Sequence, residues 1–251
     1  NSSVTFKILK GTTPLDLNVT LYDKAAPLTV ANFFNYLDRY DDNGGVLFHR
    51  THIENALKII QGGGYTFNDA TNTVNGHIAT DAAIKNEYSA DRPNTRGTIA
   101  MAKTSDPDSA TSEFFFNLDD ANSATLAPPN SGGFTVFGTA TGAADLAVLD
   151  QLAAVPIKVA GGFAELPLVD GATLDENNVL RVQQVVVNSR DNELTYTASS
   201  SNGAVVAVSN TGFQGNQLVL DYLAAGTSTI TVTATDKLNH ATTTTFVVTV
   251  T

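Results

Sequence analysis

The sequence predicts a mainly β protein with two helices, divided into a larger first part and a smaller second part. Short runs in which apolar and polar residues alternate recur along the chain, and this period of two is typical of half-buried strands. Two longer stretches instead have apolar residues at helical spacing. After about Asn188 the helical spacing disappears, and the chain becomes rich in Thr, Ser, Asn and Val. This change in texture predicts a second, separate domain.

The first part is predicted to open with two strands and a helix. Apolar residues alternate with polar ones over residues 4–8 and again over 15–21, which favours a hairpin. Pro27 then begins the first helix, because proline is favoured in the first turn of a helix. A second helix is expected over residues 144–155, and a last strand near 182–187 ends this part.

The second part is predicted to be a small β-sandwich. Alternating runs near residues 218–222, 229–235 and 246–250 are separated by turn signals, as in a sandwich of short strands. The ending VTATD…TFVVTV resembles the immunoglobulin-like or cadherin-like repeats of bacterial surface proteins, and a jelly-roll-like sandwich is equally compatible. We therefore expect one domain over residues 1–188 and a second over 189–251, whose ligand is unknown.

Composition narrows the classes of function. The net charge of -11 is spread along the chain, which disfavours nucleic acid as a partner, since phosphates require clustered Lys and Arg. No run of about 18 apolar residues exists, so no membrane span is expected. The chain has no Cys, and His49 and His52 would face opposite sides of a strand, so neither a metal nor another cofactor is expected. Few Lys and Arg beside abundant Thr, Ser, Asn and Gly favour a periplasmic or secreted bacterial protein.

The most informative run is RGTIAMAKTSDPDSATSEFFFN, at residues 96–117. Together with Phe48-His49-Arg50 and Gln61-Gly62-Gly63 upstream, it resembles the core of the cyclophilins, the peptidyl-prolyl cis/trans isomerases. The resemblance covers roughly residues 4–187, with the motifs in the family's order. It implies an eight-stranded antiparallel β-barrel capped by two helices, whose interior is packed with side chains and whose site lies on the outer wall.

The resemblance implies a prolyl isomerase, or rotamase, that acts in protein folding on the X-Pro bonds of proline-containing peptides or unfolded protein clients. Rotation about such an amide has a barrier of ~20 kcal/mol, and the twisted nitrogen is the better hydrogen-bond acceptor. Arg50 matches the catalytic arginine whose cationic donor favours the twisted state, although it could instead be a surface arginine in a salt bridge. Gln61 matches the glutamine that supports substrate carbonyls and orients the arginine, and it could also be simply a polar residue before a tight glycine turn. Phe115 matches the aromatic floor of the proline pocket, although it could instead be barrel core like the flanking Phe114 and Phe116. Alternation lets only one face of this strand reach the site, and the match to the family selects Phe115.

Further matched positions would line the substrate site. Met101 and Ala102 match the edge along which the substrate backbone pairs, although Met101 would serve equally well as a core filler. Ile59 stands where methionine or valine is usual and is acceptable there. Leu126 matches the leucine that follows a pocket wall, and Phe134 stands where bacterial members often have tyrosine and eukaryotic members have histidine.

Three other expected substrate-binding positions depart from the family pattern. Lys58 stands where phenylalanine is normal, Glu113 where glutamine is usual, and Thr125 where an aromatic wall is expected. The changes predict lost apolar contact and, for Glu113, an ion pair that blunts the field of Arg50. The longer spacing between the FHR and QGG motifs could instead turn Lys58 to solvent.

The departures predict reduced isomerase activity and weak or no cyclosporin binding, because the chain also lacks Trp. The alternatives are a catalytically weak cyclophilin-fold module that binds proline peptides, or a surface-attachment protein in which this domain is a scaffold. The retained Arg50, Gln61 and Phe115 favour the enzyme, whereas the three departures favour the binder.

Overall fold

A computed structural model describes residues 1–40, 46–52, 57–140, 142–170, 173–190, 195–214, 217–235 and 241–251, and for 39, 40, 47, 49–52, 210–214 and 217 the backbone alone. The chain forms two compact units, Asn1–Arg190 and Asp191–Thr251. That residues 1–188 fold independently of 189–251 stays a prediction.

The first unit is mainly β. Its strands are β1 (Ser3–Lys10), β2 (Thr13–Leu21), β3 (Val46–His52), β4 (Ile59–Asn68), β5 (Thr73–His77), β6 (Thr98–Met101), β7 (Phe114–Asn117), β8 (Val136–Thr139), β9 (Ile157–Ala160), β10 (Phe163–Pro167) and β11 (Leu180–Ser189). Its helices are α1 (Pro27–Tyr40), α2 (Asn122–Thr125) and α3 (Ala143–Ala153). Helix α1 begins at Pro27 as predicted, and α3 begins one residue earlier and ends two residues earlier than predicted.

The main sheet places the site motifs side by side. Its strands are antiparallel and run in the order β3-β11-β1-β2-β8-β6-β7-β4-β5, and β3 also pairs with β4, so every strand except β5 has at least two neighbours. This arrangement confirms the predicted fold class. Across adjacent strands, Arg50 lies opposite Gln61, Gln61 opposite Phe115, and Phe115 opposite Ala100.

The interior of this sheet is packed with apolar side chains. Phe6 packs edge-on against Phe114 and Phe116, with ring centroids 5.7 and 5.3 Å apart. The two longer helices add buried residues to this core, namely Val30, Phe33 and Phe34 from α1 and Val148, Leu149 and Leu152 from α3. In the described part of the chain, no helix is long and apolar enough to cross a membrane.

The second unit adds smaller sheets made of β12 (Thr195–Ser200), β13 (Val206–Gln214), β14 (Gln217–Tyr222), β15 (Gly226–Thr235) and β16 (Ala241–Val250). Strand β15 pairs with β12 and β16, while β13 pairs with β14. Val205, Val206 and Ile230 form its small buried core. Two sheets around one apolar cluster are consistent with the predicted sandwich.

Candidate active site

A groove of ≈ 400 Å³ lies on the face of the sheet that is turned away from the core. Its apolar lining consists of Leu57, Ile59, Ala102, Phe115, Leu126 and Phe134. Its polar lining includes Gln61, His77, Lys103 and Glu113. Six predicted site residues besides Phe115 therefore meet here: Ile59, Gln61, Ala102, Glu113, Leu126 and Phe134.

The floor of the groove follows from the alternation of β7. Phe114 and Phe116 belong to the main core, whereas Phe115 belongs to a separate outer cluster with Ile59 and Leu126. Phe115 is only 2% exposed, and its ring centroid lies 6.0 Å from that of Phe134 in an edge-on arrangement. An aromatic floor with apolar walls therefore faces the groove.

Arg50 and Gln61 are brought together by the pairing of β3 with β4. The side chain of Arg50 lies outside the part of the chain that the structure describes, so its catalytic role stays a prediction, as does its ion pair with Glu113. Gln61 is half-buried and lines the groove.

Gln61, Glu113 and His77 form a continuous hydrogen-bonded chain. Nε2 of Gln61 donates to Oε2 of Glu113 at 2.5 Å, and Nε2 of His77 lies 2.9 Å from Oε1 of the same carboxyl group. The second ring nitrogen of His77, Nδ1, lies 2.9 Å from the carbonyl oxygen of Ile78. The side chain of Glu113 is 22% exposed and that of His77 is 37% exposed, so these hydrogen-bonded side chains lie at the rim of the groove.

Lys58 does not line the groove, which corrects the expectation that it replaces an apolar wall. Its Nζ binds Oδ2 of Asp119 at 2.7 Å, and this hydrogen bond, with one from the N–H of Ala121, lowers the pKa of Asp119. Leu57, one position earlier, lines the groove instead. The side chain of Lys58 is therefore engaged with Asp119, and Leu57 contributes to an apolar wall.

Thr125 also lies away from the groove lining. It ends the short helix α2, and its carbonyl oxygen accepts a hydrogen bond from Asn130 at 2.9 Å. Leu126, the next residue, is buried and lines the groove. Phe134 provides the aromatic wall that was expected at position 125, because its ring lies beside Phe115.

Met101 is placed in the core rather than in the groove. Its side chain is buried in the cluster that contains Phe114, while Ala100 belongs to the outer cluster and Ala102 packs against it. The alternation of β6 turns Met101 inwards, so the core-filling alternative describes its side chain.

Sequence reasoning missed Leu57, His77 and Lys103. Lys103 follows the matched Ala102, and its Nζ lies 4.3 Å from the centroid of the Phe134 ring. Burial lowers the pKa of Lys103, against the opposing influence of Asp106 and Asp108. Adjacency to the RGTIAMA motif could have indicated Lys103, whereas His77 ends β5, which carries no matched motif.

Buried asparagines hold in place the two groove walls formed by Leu126 and Phe134. Nδ2 of Asn122 donates to Oδ1 of Asn117 at 2.8 Å, and Nδ2 of Asn117 donates to Oδ1 of Asn94 at 3.0 Å. Nδ2 of Asn94 in turn donates to the carbonyl oxygen of Phe134 at 3.0 Å. The backbone N–H of Leu126 donates to the carbonyl oxygen of Asn122 at 2.8 Å. Since buried amides are stable only when paired, this network fixes the loop that carries both walls.

Among the described residues, no group of three His, Asp or Glu side chains could hold a metal ion. The side chains of His49 and His52 lie outside the description. The groove can bind an apolar group and form hydrogen bonds. Its lining includes the carboxyl group of Glu113 beside the amide donor of Gln61.

Comparison with known proteins gives a family match over most of the first unit. The matching model is described as "Cyclophilin type peptidyl-prolyl cis-trans isomerase/CLD" and covers residues 6–172. A peptidyl-prolyl cis-trans isomerase of Acinetobacter baylyi is 41% identical over 152 residues, which is 61% of this chain and 74% of that protein. The peptidyl-prolyl cis-trans isomerase cyp18 of Streptomyces antibioticus is 35% identical over 169 residues, 66% of this chain and 92% of that protein. A crystal structure of a Cryptosporidium parvum cyclophilin type peptidyl-prolyl cis-trans isomerase is similar with a TM-score of 0.49 and 18% identity, over 75% of this chain and 98% of that one.

Proposed function

Because the chain belongs to the cyclophilin-type peptidyl-prolyl cis-trans isomerase family, we propose that it catalyses rotation about X-Pro bonds of protein clients in this groove. The observation that carries the proposal is the row of Arg50, Gln61, Phe115 and Ala100 across four adjacent strands. This row sets the residue matched to the catalytic arginine beside an amide donor and an aromatic floor. The reaction would assist the folding of proline-containing chains.

The outer cluster suits a proline ring. The ring would lie on Phe115, between Ile59 and Leu57 on one side and Leu126 and Phe134 on the other. Burying a side chain of this size contributes about 1.5–3 kcal/mol, which favours an apolar residue over a polar one at this position. The polar rim then faces the amide bond that precedes the ring.

The chemistry requires neither a covalent step nor a cofactor. As the amide twists, its nitrogen loses resonance and accepts a hydrogen bond more readily, so a fixed donor from Arg50 favours the twisted state over the planar one. One amide hydrogen of Gln61 is held by Glu113, which leaves the other for a substrate carbonyl oxygen. Together the two residues would bind the peptide and lower the barrier to rotation.

The activity is proposed to be reduced by Glu113. A carboxyl group at the groove opposes the field of a nearby arginine, whereas the glutamine usual in the family has no charge. Glu113→Gln is therefore expected to raise kcat/KM, and an unchanged or lower value would contradict the reduction.

The decisive experiment is a protease-coupled isomerisation assay on a proline tetrapeptide. The wild type should exceed the uncatalysed rate, and Arg50→Ala should remove most of the excess, about a hundredfold, because it removes the donor to the twisted amide. Lys58→Ala is the matched control, since it removes a nearby cation that does not line the groove. If the wild type binds the peptide but does not exceed the uncatalysed rate, the protein is a peptide-binding module and not an isomerase.

We also propose weak cyclosporin binding and a periplasmic or secreted location. The first is supported by the lack of Trp in the chain, since no other residue offers an indole N–H with the same apolar area. The second is supported by composition alone. Nanomolar inhibition by cyclosporin would overturn the first, and recovery of the protein from bacterial cytoplasm would overturn the second.

A further inference from the structure

The hydrogen-bonded chain at the rim of the groove fixes which way the amide of Gln61 points. Oxygens of a carboxylate accept but do not donate, so Glu113 can bind only the NH₂ group of Gln61. The carbonyl oxygen of Gln61, Oε1, must then point elsewhere. An amide without such a partner could turn over and present either end to a substrate.

The contacts of His77 leave one oxygen of Glu113 as an acceptor. Nδ1 of His77 lies 2.9 Å from the carbonyl oxygen of Ile78, and Nε2 lies 2.9 Å from Oε1 of Glu113. Whichever of Nε2 and Oε1 carries the hydrogen that they share, Oε2 of Glu113 stays an acceptor for Gln61.

Gly64 supplies the space for this pair. A Cβ at this position would collide with Oε1 of Glu113 and lie 3.0 Å from Nε2 of His77. The backbone of Gly64 is not left-handed, so the lack of a side chain serves the neighbouring groups rather than the local conformation.

Other titratable residues lie on neighbouring strands or in the same groove. Tyr65 on β4 packs edge-on against the His77 ring, with centroids 5.0 Å apart. Lys103 lines the same groove. Arg50 on β3 lies opposite Gln61 by backbone pairing.

We propose that Glu113 and His77 are positioning residues that hold the amide of Gln61 in one orientation for the substrate, in space left open by Gly64. The proposal rests on the proposed isomerase function for its effect on catalysis. Neither residue needs to touch the peptide, since both act through Gln61. Glutamine is usual at position 113 in the family that the chain resembles. Here the position is Glu113, and His77 contacts its carboxyl group.

The first test compares Glu113→Leu, Glu113→Gln and Gly64→Ala. Both substitutions of Glu113 remove its charge, but only Glu113→Leu also removes the acceptor for Gln61. The kcat/KM of Glu113→Leu should therefore lie about tenfold below that of Glu113→Gln, while peptide affinity differs less, because the lost hydrogen bond orients a group instead of filling the pocket. Alanine at 64 should resemble Glu113→Leu, because its methyl group takes the place of the carboxyl group.

The second readout is the side-chain amide signal of Gln61 in NMR spectra, identified by its loss in Gln61→Ala. Glu113→Leu and Gly64→Ala should move this signal to the position of a solvated amide, and Glu113→Gln should keep it shifted. An unmoved signal in Glu113→Leu would overturn the proposal. A moved signal in a protein without isomerase activity would uphold the positioning and reject the proposed function.

The third readout tests His77 through the same NMR signal. His77→Ala removes the contact with Oε1 of Glu113, so it should move the Gln61 amide signal in the same direction as Glu113→Leu. His77→Gln keeps an N–H donor and should leave the signal close to its wild-type position. An unmoved signal in His77→Ala would overturn the role of His77.

Discussion

The core and the groove of the first unit are built from the same strands, yet they differ in composition. On β7, Phe114 and Phe116 enter the main cluster of buried apolar side chains, while Phe115 enters a cluster that borders Gln61 and Glu113. The period of two in a strand lets one sequence serve both faces. The difference teaches that residues facing inwards should govern stability and residues facing outwards should govern activity.

The largest effect should come from breaking the inward face. Phe116→Ala removes a fully buried ring that packs on Phe6, so the free energy of unfolding should fall by about 3–5 kcal/mol. Urea denaturation measures this loss. The molecules that stay folded in buffer without urea should keep the isomerase activity of the wild type. A loss of activity in these folded molecules, in proportion to the loss of stability, would show that the two faces are coupled.

Phe115→Ala tests the outward face at the neighbouring residue. Removing the floor should lower kcat/KM about tenfold to a hundredfold, because the proline ring loses most of its apolar contact. The loss in unfolding free energy should be smaller than for Phe116→Ala, since solvent from the groove can fill the space. The reverse ranking of the two variants in denaturation would refute the comparison.

Leu57 and Lys58 sharpen the comparison within the groove. Leu57→Ala should lower kcat/KM about threefold to tenfold, because the side chain forms part of the apolar wall. Lys58→Phe should leave kcat/KM unchanged, since Lys58 pairs with Asp119 outside the lining. An increase of activity in Lys58→Phe would mean that position 58 faces the substrate.

The smallest effect should follow removal of the second unit. Arg190 still belongs to the first unit, where it binds Asp38 at 2.7 Å and lies over the ring of Phe34. A fragment of residues 1–190 should therefore stay folded and keep its isomerase activity, because every residue of the groove precedes its end. Circular dichroism and the isomerisation assay measure both properties, and an aggregated fragment would make the two units one cooperative whole.

Patterns local to a strand were predictable from the sequence. Alternation separated Phe115 from Phe114 and Phe116, the resemblance to the family selected Phe115 as the outward residue, and Pro27 marked the start of α1. The place of Lys58 was not predictable, because its partner Asp119 lies 61 positions away in the sequence. His77 was not predictable either, since its contact with Glu113 joins residues that are 36 positions apart.

The asparagine network also leaves a place where the chain can be lengthened. The N–H of Phe134 donates to the carbonyl oxygen of Leu126 at 3.1 Å, so the loop between them is closed at its base. Residues 128–130 at its tip are exposed. Insertions are tolerated at exposed tips whose bases are held independently. An epitope or a fluorescent label could therefore be inserted there, at the edge of the groove, while both walls keep their positions.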